Sequence, residues 1–447
     1  MTLPRFIPAF LMVLMLGTAP VQQAQAQGFQ PSFEEGLSAF NYGDNDLAAR
    51  HFWRLAAAGD SRAQYYLAYM IDTGLGMNKD PAAAASWYRK SADQDYLPAV
   101  AYMGYIYSTG HGVRRNDEEA FKWYARAAQM GDAIAQNNLA TMLRAGRPYR
   151  KNLQLAAQWF MQSATQSNMR AQYNLATMYR LGEGVQVNNT EALRWYGFAA
   201  NQGDVYAQNA LGYMFRNGIG VEKNPAAALD WYRRAAEQGH TPSQFVIARM
   251  YEMGEGDPTK GPEDAAIWYM HAAKTGNARA QHRVALMYET GQGLPKDYVS
   301  AVSWYRKAAE ENNYAPSMVA LGQLYEGGLG VPRKNPQAAR EWYKKAADAL
   351  YPFGLVEMGR VSRLGIGGPA SDAEAYKWYF LATEEMRGEQ SEIRNTAVRN
   401  VSELSATMSA SDKDKANREI ETWKARQLVS RRTSGAQRSA DPAFQYE

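Results

Sequence analysis

Leu97 to Asp132 reads LPAVAYMGYIYSTGHGVRRNDEEAFKWYARAAQMGD, and the same plan restarts at Ala133, Met169, Val205, Thr241 and Ala278. Each copy has an apolar segment led by a small residue, a glycine-containing turn, a short polar link and an aromatic segment of W-Y-x-x-A-A type. Nine tryptophans from Trp87 to Trp378 mark the beat at intervals of 36 to 38 residues, and all but Trp159 precede a tyrosine. A fixed period in this range is the mark of a solenoid, whose units stack to bury a shared core. It also frees a chain of 447 residues from the size limit on a single compact core.

Both halves of the unit carry a helical stripe. Ala171, Leu175, Ala176 and Tyr179 fall at i, i+4, i+5 and i+8, one face of an amphipathic helix. Trp195 with Ala199, and Tyr196 with Ala200, lie on adjacent rows of a second helix. Asp80-Pro81, Asn224-Pro225 and Asn335-Pro336 place a capping side chain before a proline at the first helical position. Paired glycines, such as Gly182 with Gly184 and Gly218 with Gly220, end the first helix. The unit is a helical hairpin, and the tryptophans are expected to fill the space between hairpins.

The A-x-x-x-L-[GA]-x-x-Y first helix, the G-x-G-V turn and the A-x-x-W-Y-x-x-A-A second helix resemble the SEL-one-like repeat family, a branch of the tetratricopeptide repeat superfamily. The resemblance covers nine units between residues 61 and 386. It implies an all-α, right-handed α-solenoid that serves as a scaffold or adaptor for another protein. A degenerate hairpin over 27–60 reads as an N-terminal cap, with Phe52 at the tryptophan place and Trp53 at the tyrosine place. Helices at Ser391–Ala406 and Ser411–Gln427 read as the C-terminal cap of 387–427, the second opening on Ser411 and Asp414. Residues 428–447 are polar and aperiodic and read as a disordered tail.

Residues 1–26 have the form of an export signal: Arg5, an apolar run from Phe6 to Leu16, then Ala24-Gln25-Ala26 as a cleavage site. The run is too short to span a bilayer. The chain has no cysteine, which removes disulfides, thiolate chemistry and a lipid-bearing cysteine anchor. These features predict a periplasmic or secreted protein beginning at Gln27. The net charge of +4 is interspersed, unlike the concentrated basic footprint of a nucleic-acid binder.

Little reads as catalysis, and neither a cofactor nor a metal is expected. The G-x-G turns follow helices and lack the strand and third glycine of a dinucleotide site. His51, His111, His240, His271 and His282 sit in different units without ligand spacing, as surface or groove residues. Some relatives are linked with penicillin binding, but S-x-x-K is absent, as is G-x-S-x-G.

Departures from the consensus say more. By resemblance to tetratricopeptide arrays, the first helices line the concave surface, exposing positions two, six and nine after the leading small residue. The first row holds Tyr65, Ala101, Asn137, Tyr173, Asn209, Phe245 and His282, with Asn138 and Asn174 adjacent. The second holds Tyr69, Tyr105, Thr141, Thr177, Tyr213 and Arg249. Asparagine is a poor helix former, so its recurrence here points either to ligand hydrogen bonding or to a ladder tying repeats together. The third row reads Asp72, Ser108, Arg144, Arg180, Arg216, Glu252, Glu289, Glu326 and Arg363. The unit at Ala133 replaces the usual turn with Gly146-Arg147-Pro148-Tyr149-Arg150-Lys151, which with Arg114 and Arg115 makes a basic edge.

The reading is a non-catalytic periplasmic scaffold that binds a protein or extended peptide. An acidic segment of the partner would dock at Arg144, Arg180 and Arg216, with Asn137, Asn138, Asn174 and Asn209 pairing to its backbone. Tyr69, Tyr105 and Tyr213 would supply rigid contacts. Two alternatives stay open: an envelope factor binding polysaccharide or peptidoglycan, and a periplasmic inhibitor of a sensor kinase.

Overall fold

The computed structural model describes residues 29–388 and 391–435. These residues form twenty-two helices, with no strand among them. The export signal and residues 436–447 lie outside the described residues. The chain divides into two compact units, Met1–Asn168 and Met169–Glu447. The first contains a hairpin of Phe33–Tyr42 and Asn45–Ala57, then three repeats; the second contains six repeats and two further helices, Glu392–Thr407 and Ala410–Gly435.

Local chemistry sets each hairpin. The second helices start on Asp80, Asn116, Asn152, Asn188, Asn224 and Asn335, whose side chains accept backbone N–H groups of the first turn. Each such cap is worth about 1 kcal/mol. Within a turn the two glycines have different tasks. Gly110 caps its helix in the left-handed conformation. Gly112 lies on the start of the previous repeat's second helix, where an added Cβ would stand 2.1 Å from the carbonyl oxygen of Pro81. The second glycine therefore permits stacking between repeats.

The tryptophan ladder proves to be only part of the core. Trp87, Trp159, Trp231, Trp268 and Trp304 are half-buried, whereas the following residues Tyr88, Phe160, Tyr232, Tyr269 and Tyr305 are buried. The tryptophans present a ring face to a cation three residues on: Lys90 lies 3.8 Å from the Trp87 centroid, Arg234 4.5 Å from Trp231 and Lys345 3.9 Å from Trp342. Helical geometry turns the two members of a pair in different directions, although Trp123, Trp195, Trp342 and Trp378 are buried along with their tyrosines.

This division corrects the register of the N-terminal hairpin. Phe52 is fully buried while Trp53 is 59% exposed. Phe52 thus holds the tyrosine place and His51 the tryptophan place, 36 residues before Tyr88 and Trp87. His51 is buried rather than at the surface: it is 2% exposed, accepts the Ser32 N–H through Nδ1 at 3.0 Å, and packs on Phe29 at 4.5 Å.

At the other end, Trp423 packs edge-on to Trp378 at 6.2 Å, and Leu404, Met408, Ala416 and Ile420 continue the core of the last repeat. The final helix does not open on Ser411 and Asp414. Its cap is Ser409, which accepts the Asp412 N–H at 3.1 Å and donates to the Asp412 carboxylate at 2.7 Å. The same helix continues to Gly435, past Gln427 and into the stretch expected to be a tail.

A buried amide relay joins neighbouring hairpins. Gln64, Gln136, Gln208, Gln244 and Gln281 donate to the carbonyls of Ala56, Ala128, Ala200, Ala236 and Ala273 at 3.1–3.2 Å. Their own oxygens accept from the far end of the same repeat: Gln94 to Gln64 and Gln166 to Gln136 at 2.8 Å, Asn312 to Gln281 at 3.1 Å. Repeat 97–132 has Val100 and Met130 at the two places. In repeat 241–277 the partner place falls to Thr275, and Gln244 Oε1 is buried without a partner among the described residues.

Candidate partner-binding face

The three rows on the first helices are positioned by each hairpin's own second helix. First-row side chains cover the buried tyrosine. Tyr65 packs 5.5 Å from both Tyr88 and Tyr96; in the second unit His282 packs 5.1 Å from Tyr305 and 5.5 Å from Tyr314. Burial pushes the His282 imidazole down to about 4, because a neutral ring is cheaper to desolvate. Its Nδ1 lies 2.9 Å from Ser317 Oγ, and Asn209 Oδ1 accepts from Ser243 Oγ at 3.0 Å. At Asn209 the asparagine thus ties one repeat to the next. Asn137 is buried and donates to Asn138 Oδ1 at 3.3 Å. Asn174 is half-buried.

The second row is more open. Tyr69, Tyr105 and Tyr213 are half-buried; Tyr69 meets Phe40 edge-on at 5.8 Å, and Tyr105 lies 5.2 Å from Tyr102. Thr177 has turned inward, 2.9 Å from the Tyr196 hydroxyl.

The third row is largely an internal device. Its members face the phenol of the same hairpin: Tyr269 donates to Glu252 at 2.8 Å, Tyr305 to Glu289 at 2.7 Å and Tyr343 to Glu326 at 3.1 Å. A phenol buried without an acceptor would cost free energy, which accounts for the three successive glutamates. Arg216 meets Glu255 of the next turn at 2.7 Å, and this hydrogen-bonded pairing holds Glu255 below the usual carboxylate range. Arg363 reaches Asn400 at 2.8 Å and Glu403 at 3.0 Å. Arg144 and Arg180 are half-buried. Arg144 belongs to the first unit, Arg180 and Arg216 to the second.

The variant turn gathers an exposed basic edge in the first unit. Arg114, Arg115, Arg147, Arg150 and Lys151 are exposed, and Tyr149 rests edge-on against Phe121 at 5.0 Å. Asp117 pairs with Arg115 at 3.0 Å.

Among the described residues no group of three or more His, Asp or Glu side chains could hold a metal ion, and no helix is long and apolar enough to cross a membrane. The candidate face carries polar and aromatic side chains on a helical scaffold.

Such a face on an all-α array of hairpins defines a repeat scaffold. The chain belongs to the Sel1 repeat family, whose model matches residues 61–96, 97–132, 133–168, 170–204, 205–240, 241–277, 278–313, 315–349 and 352–385. Among solved structures it is similar to a protective antigen present in uropathogenic Escherichia coli strains that displays an SLR fold. That match has 28% identity, covers 93% of this chain and 88% of the other, and has a TM-score of 0.72. It is also similar to a Sel1 repeat protein from Oxalobacter formigenes, at 28% identity over 74% of this chain and 94% of the other, with a TM-score of 0.55. A search of curated proteins gives no match. Arrays of this family serve protein–protein interaction, and that role carries over to this chain as a scaffold.

Proposed function

We propose that the protein is a non-catalytic scaffold of the bacterial envelope that holds a polypeptide partner against its first-helix face. The observation carrying this reading is an asymmetry between the two helix types. The half-buried Trp87, Trp231 and Trp304 of the second helices are covered by Lys90, Arg234 and Lys307, whereas the first helices present half-buried tyrosines at Tyr69, Tyr105 and Tyr213. Rigid aromatic side chains with a polar tip give contact area at small entropic cost. In the second unit an acidic segment of the partner would engage Arg180 and Arg216, exchanging with Glu255 for the latter. Such an exchange sets specificity and on-rate more than affinity. Placement in the envelope rests on the signal-like sequence of residues 1–26.

The test is photocrosslinking in intact cells from a reactive residue placed at Tyr69, Tyr105 or Tyr213, with Trp231 as the control. Capture of one protein from the first-helix positions supports the reading. Capture from Trp231 alone overturns it. Reversal of Arg180 and Arg216 to glutamate should weaken capture and its salt dependence; unchanged capture removes the acidic segment.

A further inference from the structure

We infer that Asp72 and Tyr88, with the tyrosines around them, form a receiving site for an arginine side chain of the partner. The inference deepens the scaffold reading and rests on it.

The molecule shows elsewhere what this constellation binds. In repeat 315–349, Glu326 takes the Tyr343 phenol and a two-pronged guanidinium from the next repeat, with Arg360 nitrogens at 3.1 and 2.6 Å. The guanidinium carbon lies 5.9 Å from the centroid of the same tyrosine. In repeat 241–277, Glu252 likewise holds Tyr269 and Arg283, whose guanidinium is 5.9 Å from that ring.

Repeat 61–96 keeps the carboxylate and the tyrosine but has no such arginine. Asp72 is 7% exposed. It accepts from the Tyr102 hydroxyl at 2.9 Å and lies 2.5 Å from His111 Nε2. His111 is its one ion-pair partner among the described residues and is charged only if protonated. A carboxylate this buried is costly without a permanent counter-charge. Tyr88, 1% exposed, has no hydrogen-bond partner for its hydroxyl among the described residues. The carboxylate and the buried tyrosine of the Glu326 arrangement are present, while the cation and that tyrosine's phenol–carboxylate hydrogen bond are not.

His111 has a third of its side chain exposed, so it can yield. An incoming guanidinium would take Asp72 from His111, releasing the carboxylate to accept the idle Tyr88 hydroxyl as Glu326 accepts Tyr343. Tyr102 and Tyr105, tilted to each other with ring centroids 5.2 Å apart, would add a cation–π surface. A planar fork suits this site better than an ammonium, because it satisfies both carboxylate oxygens at once.

The experiment follows the imidazole NMR signals of the full chain, which has five histidines, during titration with a blocked Gly-Arg-Gly peptide. The controls are the citrulline and lysine analogues. The His111 signal should move saturably with the arginine peptide and stay still with citrulline. Asp72→Asn should weaken binding about tenfold or more, the scale of a charged hydrogen bond. Tyr88→Phe, which removes a hydroxyl the free protein leaves unused, should weaken it several-fold without loss of fold. A silent His111, an equal response to citrulline or lysine, or binding unaffected by both substitutions overturns the site. Crosslinking from Tyr213 that persists while His111 stays silent removes this inference and leaves the scaffold reading standing.

Discussion

Asp72 and Glu326 occupy the same place in their repeats, nine residues after the leading small residue, and live in opposite conditions. Glu326 is committed: one phenol, one guanidinium, and a carboxyl held low first by hydrogen bonding to Arg360. Asp72 is divided between a tyrosine and a histidine of the neighbouring repeat, and the phenol beneath it goes unused. The contrast teaches that a row of like positions can be structural in one repeat and available in another. What separates them is whether the next repeat supplies the missing charge.

The contrast can be strained at four points. Glu326→Ala would leave the Tyr343 phenol without its acceptor and Arg360 with Glu357 as its remaining carboxylate, so hydrogen exchange in repeat 315–349 should report a loss of about 3 kcal/mol from one neutral and one charged hydrogen bond. An unchanged exchange pattern would remove the claim that this carboxylate is committed. Next comes His282, the second-unit counterpart of Tyr65. Its ring is neutral in the fold down to about pH 4, while an unfolded histidine protonates near 6.5. The unfolded state therefore binds more protons in between, and stability present above about pH 6.5 is lost as the pH falls toward 4. The loss is about 2 kcal/mol after allowance for partial exposure. Chemical denaturation at pH 7 and pH 5 should show it, and His282→Phe should flatten the difference.

Tyr343→Phe should cost about 1 kcal/mol, the value of one satisfied hydrogen bond. The matching change Tyr88→Phe removes a hydroxyl with no partner, and should be neutral or stabilising by up to about 0.5 kcal/mol. Equal costs for the two phenylalanines in thermal unfolding would erase the distinction between the repeats.

The hairpin array was legible because its signals are local and repeated: caps, turns and a beat of aromatic pairs. Within a pair the period marks both members equally, and only helical geometry decides that Tyr88 goes inward while Trp87 stays half outside. The same ambiguity displaced Phe52 and Trp53 by one place. The last cap falls at Ser409, two places before Ser411, in polar sequence with no clear stop to mark it. The third row read as a sorted surface charge because a glutamate beside a buried phenol looks, in sequence, like any glutamate on a helix. The amide relay did leave a trace, the recurring Ala-Gln at 63–64, 135–136 and 207–208. Its meaning depends on partners 30 residues later, which no helical period connects.

That relay makes the seams between hairpins of more than one dialect. Where both places carry amides the joint is polar and closed; around Val100 and Met130 it is apolar; at Gln244 it is polar and one donor short. Each glutamine and its amide partner belong to one repeat, so a hairpin moved along the array carries the pair with it and asks of the preceding hairpin only a backbone carbonyl. The repeats look alike along the chain but differ in how each hairpin locks onto the one before it, and a lengthened or shortened array inherits that lock from whichever hairpin is inserted or removed.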